Sequence, residues 1–221
     1  INKEKLMILR DGKVTRLSIN PQTMNDKTLQ QIGRMHSAEQ ILDSYKLAKE
    51  CGFNDINMDI ILGLQNETVE DIKDTLEKIK VLSPSNITVH TLAIKRTSIL
   101  SETKECGSMI GDDTAEKMMD ITKEYMHNIK MVPYYLYRQK FMKNNLENIG
   151  FCKEGYECIY NIQMIEDKQT IIGFGANAVT KTVYTEENRM ERYHNIKDYI
   201  LYIHEIDNII EKKIKFLSEL Y

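Results

Sequence analysis

Three short stretches constrain the fold of this chain most, because each alternates apolar and polar residues and each lies between helical patterns that carry their own start and stop signals. Residues 15–20 (TRLSIN), 55–62 (DINMDIIL) and 86–92 (NITVHTL) are rich in Ile, Val and Thr, the composition of strands. The helical pattern over 37–51 opens with Ser37 and Gln40 in capping-box spacing, places Ala38, Ile41, Leu42, Tyr45 and Ala48 on one face, and stops at Gly52. The next helix repeats this grammar with Thr68 and Asp71 at its start. Its stripe is Val69, Ile72, Leu76 and Ile79, and Pro84 lies beyond its end. Residues 2–11 read as the last part of an earlier crossover helix.

Strand, helix, strand in this rhythm implies parallel strands joined by right-handed crossovers, either a doubly wound sheet or part of a barrel. The alternation favours the barrel. Leu17 and Ile19 alternate with Ser18 and Asn20, Ile56, Met58 and Ile60 with Asn57 and Asp59, and Ile87 and Val89 with Thr88 and His90. Parallel strands covered by helices on both faces read as continuous apolar runs, so one face of this sheet is polar. Polar residues inside a barrel point to a ligand in the lumen.

The pattern changes after residue 112, so the expected organisation is a barrel region over 1–112 and a separate C-terminal region over 113–221. Residues 113–130 read as a helix with Met118, Ile121, Tyr125 and Ile129 inward, and Pro133 leads into an extended Tyr-rich run at 134–138. Strand-like runs follow at 159–165 and 170–174. A long amphipathic helix over 196–217 closes the chain, with Ile196, Tyr199, Ile200, Ile203, Ile206 and Ile210 on one face.

Composition narrows the function classes. The 221 residues are 42% hydrophobic and 29% charged with net charge −3, which argues against disorder, coiled coil and the basic footprint of a nucleic-acid binder. No apolar run approaches the ~20 residues of a membrane span, and no signal peptide or lipidation motif is found, so the chain is read as soluble and cytoplasmic. Four cysteines, Cys51, Cys106, Cys152 and Cys158, make neither a disulfide framework nor a metal-site spacing, and idle thiols are expected. The chain begins at Ile1, which reads as a fragment or a processed chain.

Several residues could carry chemistry. Gln22 follows the first strand and Asp59 lies on the polar face of the second, so in a barrel both look toward one mouth. There a carboxylate and an amide can accept hydrogen bonds from ribose hydroxyls or an amine, or else satisfy strand-end backbone groups. Arg34, in the Gly33–Ser37 connection, offers a planar fork for a carboxylate, with a solvated arginine as the alternative. His90 fits a hydrogen-bonded lumen residue better than a metal ligand. Lys95, Arg96, Arg138 and Lys140 are possible anion contacts that read more simply as solvated charges. Residues 173–178 (GFGANA) match no full dinucleotide fingerprint, although small residues there permit close backbone approach to a planar ligand. Tyr134, Tyr135 and Tyr137 read as half-buried strand or as a stacking surface.

Taken in order, four blocks resemble a known family: residues 16–26 (RLSINPQTMND), 32–40 (IGRMHSAEQ), 57–64 (NMDIILGL) and 88–96 (TVHTLAIKR). They look like the radical S-adenosylmethionine enzymes called oxygen-independent coproporphyrinogen III oxidases, and most like the coproporphyrinogen dehydrogenase branch of Gram-positive bacteria. Residues 134–140, 145–151 and 160–176 extend the resemblance over nearly the whole chain.

The resemblance implies an α/β fold, the C-terminal half of a partial (β/α) radical enzyme barrel with a C-terminal α+β extension. It also implies that Gln22, Arg34, Asp59 and Ala93 line the S-adenosylmethionine site, with Val179 as a weaker carry-over. Family members oxidatively decarboxylate two propionates of coproporphyrinogen III to vinyl groups, giving protoporphyrinogen IX. They use a radical made when a [4Fe-4S] cluster, fed by an electron donor, reductively cleaves S-adenosylmethionine. The family's C-x3-C-x2-C cluster motif and its glycine-rich cofactor strand are absent here, so no metal ligand is assigned to this chain. The expectation is an N-terminally truncated chain that cannot make the radical alone and that self-associates through open strand edges. Gln65-Asn66 stands where relatives usually carry Pro-Gly, which alters a turn. Two other classes stay open, a haem-binding branch that acts in haem delivery and a non-catalytic interaction domain.

Overall fold

The local signals act where they are written. In the computed structural model, which describes residues 1–92, 112–138 and 146–218, Ser37 and Gln40 close a capping box at the start of a helix over Ala38–Glu50, and Thr68 and Asp71 close another before Val69–Leu82. Each box satisfies backbone N–H groups that the first helical turn leaves orphaned. The second helix ends on Ser83 in the left-handed conformation, just ahead of Pro84.

The element order is α1 (Lys3–Asp11), β1 (Arg16–Ser18), α2 (Asp26–Gln31), α3 (Ala38–Glu50), β2 (Asp55–Leu62), α4 (Val69–Leu82), β3 (Asn86–Thr91), α5 (Asp112–Asn128), β4 (Val132–Tyr137), β5 (Asn148–Cys152), α6 (Ile159–Ile165), β6 (Val179–Tyr184), β7 (Arg189–His194), α7 (Tyr199–His204) and α8 (Ile206–Ser218). Two compact units divide it, Ile1–Cys158 and Ile159–Tyr221.

The first unit holds a five-stranded sheet in the order β1-β2-β3-β5-β4. β1, β2 and β3 run parallel, with Ser18 beside Asn57 and Asp59 beside Thr88, while β5 and β4 add antiparallel neighbours beyond β3. Residues beyond 112 therefore complete the sheet that residues 1–92 begin. Ile56, Met58, Ile60, Leu62, Ile87 and Val89 fill one face at 0–1% exposure, packed against Ile72, Leu76 and Ile79 of α4 and Met118 and Met119 of α5. On α5 the buried positions are Ala115, Met118, Met119, Thr122 and Met126, so the inward stripe is turned from the expected one. Met118 is buried, and Ile121, Tyr125 and Ile129 sit at its margin. At the N-terminal ends of the strands an Arg16–Asp55 ion pair at 3.1 Å joins β1 to β2, and Ser85 and Asn86 donate to the same carboxylate.

The second unit departs from the sequence expectation. Residues 159–165 form helix α6 rather than a strand, since a short apolar run fits either period and a helix satisfies its own backbone. Residues 170–174 run beside β6 but bridge it only at Ile171 and Lys181, because the Thr170 and Thr180 side chains take backbone N–H groups that a ladder would use. The hairpin of β6 and β7 is not anticipated, although Asn188 with φ +48° marks its turn. The expected long terminal helix is two helices, broken at Glu205. Its predicted inward face is largely exposed: Tyr199 is 66%, Ile200 52%, Ile203 64% and Ile210 47% accessible, and Ile209 is the buried residue. Among the described residues no helix is long and apolar enough to cross a membrane.

Candidate functional site

The polar halves of the alternating strands come into register on one face of the first unit's sheet. The Asn57 amide nitrogen lies 3.3 Å from the Ser18 hydroxyl of β1 and donates to Asp59 Oδ1 at 2.7 Å, while Asn57 Oδ1 accepts from the Thr88 hydroxyl of β3 at 3.1 Å. The Thr88 hydroxyl also lies 3.3 Å from the hydroxyl of Tyr135 on β4. His90 Nε2 is 3.6 Å from Asp59 Oδ2. Burial alone would raise the Asp59 carboxyl, but the His90 imidazole, the Asn57 amide and the Thr88 hydroxyl outweigh it, and the net shift is downward. Asp59 is thus held as a carboxylate on the polar face, able to accept further hydrogen bonds.

Tyr135 is seated by a local fit. It lies over Gly150 of β5 so closely that a Cβ there would fall 1.8 Å from the ring, and Tyr137 stacks parallel to it at 6.2 Å. Burial pushes the Tyr135 phenol up to about 12, so it stays a neutral donor or acceptor in this network.

Gln22 stands next to Asp59 through the backbone. Its N–H donates to the Asp59 carbonyl at 2.9 Å, and its carbonyl accepts from the Ile61 N–H at 2.8 Å, an isolated parallel bridge just beyond β1. Arg34 is exposed on the wall of an open cavity of about 590 Å³ lined also by Ser18 of β1, Asn20 just beyond it, and Gln40 and Ser44 of α3, and a neighbouring pocket of about 380 Å³ shares Arg34, His36 and Gln40. Two buried atoms in that cavity wall, Asn20 Oδ1 and His36 Nε2, have no hydrogen-bond partner among the described residues. Such orphans suit a polar ligand, because a bound amine, ribose or amide would complete them.

The expected set is therefore brought together in part. Gln22 and Asp59 are neighbours, and Arg34 lies on the cavity that continues from β1. Ala93 falls outside the described residues, as do Lys95, Arg96, Cys106 and Lys140. Val179 opens β6 in the second unit and is 37% exposed. The close approach permitted by Gly173 is to the chain itself, for a Cβ there would lie 2.5 Å from the Val179 carbonyl. Arg138 pairs with Glu147 at 3.0 Å. Asn57, Thr88 and Tyr135 escape a sequence reading that looks for single functional residues. The signal that finds the first two is polar residues recurring at alternate positions of neighbouring strands.

Among the described residues, the polar donors of this face suit an organic cofactor. Cys51 and Cys152 are buried and Cys158 partly so, all three as free thiols, and no group of three His, Cys, Asp or Glu side chains among the described residues could hold a metal ion.

Residues 1–79 match the model of the Radical SAM superfamily. The chain is 38% identical over its whole length to the oxygen-independent coproporphyrinogen-III oxidase-like protein HemZ of Bacillus subtilis, of which it covers 44%. It is 26% identical over 180 residues to the heme chaperone HemW of the same organism, covering 80% of this chain and 44% of that one. Coproporphyrinogen III oxidase (HemN) from Escherichia coli, whose structure is that of a radical SAM enzyme, shares the fold with a TM-score of 0.69 at 18% identity, over 94% of this chain and 46% of that one. The chain spans about half the length of the relatives it matches, and its α/β sheet is part of the radical SAM barrel. S-adenosylmethionine and a [4Fe-4S] cluster are the cofactors that this superfamily implies. Over residues 1–79 the chain is similar to the Radical SAM superfamily, and over its whole length it is similar to an oxygen-independent coproporphyrinogen-III oxidase-like protein.

Proposed function

We propose that this chain is the C-terminal half of a cytoplasmic coproporphyrinogen dehydrogenase, and that Gln22, Asp59 and Arg34 hold S-adenosylmethionine in it. By the resemblance Ala93 belongs to the same proposed set, and Val179 is the weaker carry-over. What supports the reading is that the Gln22 backbone is bonded to β2 at Asp59 and Ile61, next to the Asp59 carboxylate of the polar sheet face, in a chain 38% identical throughout to an oxidase-like relative. When bound to a complete protein, the cofactor supplies the radical that removes hydrogen from a substrate propionate, with electrons from a separate donor. This chain's residues would bind and orient it. Asp59 accepts from ribose hydroxyls or the amine, Gln22 does so without adding charge, and Arg34 faces a carboxylate. The cysteines of this chain fit no cluster, so radical formation is assigned to residues outside it.

The test is anaerobic turnover by the cluster-reconstituted full-length protein with S-adenosylmethionine, a reductant and coproporphyrinogen III, read by mass spectrometry. Loss of two carboxyl groups with formation of 5′-deoxyadenosine is expected. An intact cluster without decarboxylation would sink the oxidase reading. The similarity to a heme chaperone supplies the second reading, which haem titration of the same protein would then decide.

A further inference from the structure

Glu67 is 2% exposed, yet it carries a carboxyl group within the short connection between β2 and α4. Oε1 accepts a hydrogen bond from the Thr23 hydroxyl at 2.5 Å, and Oε2 is buried with no partner among the described residues. The turn does not require a carboxyl there, because its own closure is a backbone bond from the Glu67 N–H to the Leu64 carbonyl that any residue could make. Burying a carboxyl without that need is unfavourable, so the contact it makes calls for a reason.

Its partner supplies one. Thr23 is itself fully buried and directly follows Gln22, whose φ of +68° lies in the left-handed region that disfavours any side chain with a Cβ. A strained conformation persists only where its surroundings over-determine it. Here the Gln22 backbone is bridged to β2 on both sides, the Met24 N–H donates to the Thr75 hydroxyl at 3.1 Å, and the Asn25 amide donates to Asp71 at 2.9 Å. Thr75 and Asp71 belong to α4, and Glu67 directly precedes the cap of that helix. The strained turn after β1 is thus stitched to the start of α4, with the Glu67–Thr23 bond as the stitch nearest Gln22.

We infer that Glu67 is a positioning residue: through Thr23 it fixes the left-handed turn at Gln22, whose backbone is bonded to β2 at Asp59 and Ile61, and so sets the affinity of the proposed site for S-adenosylmethionine without touching it. This deepens the proposed cofactor site and rests on that reading.

The experiment is equilibrium binding of S-adenosylmethionine to the full-length protein and its variants, with thermal melting of each in parallel. Thr23→Val and Glu67→Ala are each expected to weaken binding about tenfold, whereas Glu67→Gln, which keeps an acceptor for Thr23, stays within about threefold of the parent. In a Gln22→Ala background Glu67→Ala should cost no further affinity, because the coupling runs through Gln22. Variants that melt early but bind as tightly as the parent would overturn the inference and leave only a structural staple. Thr23→Val and Glu67→Gln change little volume and decide the matter even if Glu67→Ala does not fold. A parent that fails to bind S-adenosylmethionine overturns the cofactor reading and this inference together, whereas a parent that binds, with undisturbed variants, overturns this inference alone.

Discussion

Residues 1–92 and residues 159–218 draw on the same apolar residue types and put them in opposite places. In the first stretch Ile56, Met58, Ile60, Leu62 and Leu76 are 0–1% exposed and share one hydrophobic core. In the second, Tyr199, Ile200, Ile203, Ile210 and Ile214 are 47–66% exposed on helices whose periodicity is just as regular. Periodicity names a stripe, and only a second surface decides whether that stripe is a core.

The contrast can be broken most sharply by truncating one leucine or isoleucine from each stretch. Leu76→Ala is expected to cost about 2–5 kcal/mol, the range for emptying a filled core site. Ile203→Ala, at 64% exposure, is expected to stay within about 0.5 kcal/mol. Urea denaturation of both variants provides the comparison. Equal losses would show that Ile203 is covered in solution and that the two stretches differ less than their exposures say.

One buried polar group from each stretch sets up a second contrast. The Asn57 side chain, 6% exposed, joins Ser18, Asp59 and Thr88, whereas the Thr182 hydroxyl of β6 is buried with no partner among the described residues. Asn57→Leu would strip partners from Asp59 and Thr88 and is expected to cost about 1–3 kcal/mol. Thr182→Val removes a group that bonds to nothing, so it should be neutral or slightly stabilising by the same urea measurement. A loss at Thr182 as large as at Asn57 would mean that the hydroxyl has a partner, such as ordered water.

What the sequence made legible follows the same line. The β2 bounds, both capping boxes and the polar alternation are decided by neighbours within a few residues and by one continuous core, and they stand as read. Gln22 and Asp59 stand out as candidates because each lies on a strand or just beyond one. The β6–β7 hairpin, the helix at 159–165 and the break at Glu205 were missed, because short amphipathic runs with little burial leave several backbone solutions open. Glu67 was invisible for another reason. Its role arises where two connections 44 residues apart meet, and a glutamate one residue ahead of a helix cap otherwise looks like ordinary solvated charge.

The smallest expected effect concerns two carboxyls of the first stretch whose titrations move apart. Burial raises the Glu67 carboxyl against the pull of the Thr23 hydroxyl, with nearby Asp71 adding to the rise. A raised group contributes stability that is fully present below its unfolded value, about 4.3 for glutamate, and is lost as pH climbs through the folded value. Asp59 is shifted down, so its contribution is present above about 3.9 and is lost as pH falls through the lower folded value. Melting temperature followed from acid to neutral pH should therefore show two separate slopes. Glu67→Gln should remove the decline on the higher-pH side and leave the acid side unchanged, while Asp59→Asn should remove the acid-side fall and leave the other. Both effects are expected to be smaller than the loss from Asn57→Leu, because in each carboxyl burial and hydrogen bonding oppose one another. If Glu67→Gln left the higher-pH slope in place, the decline would arise from another group, and the buried Glu67 carboxyl would already be ionised without cost in the folded chain.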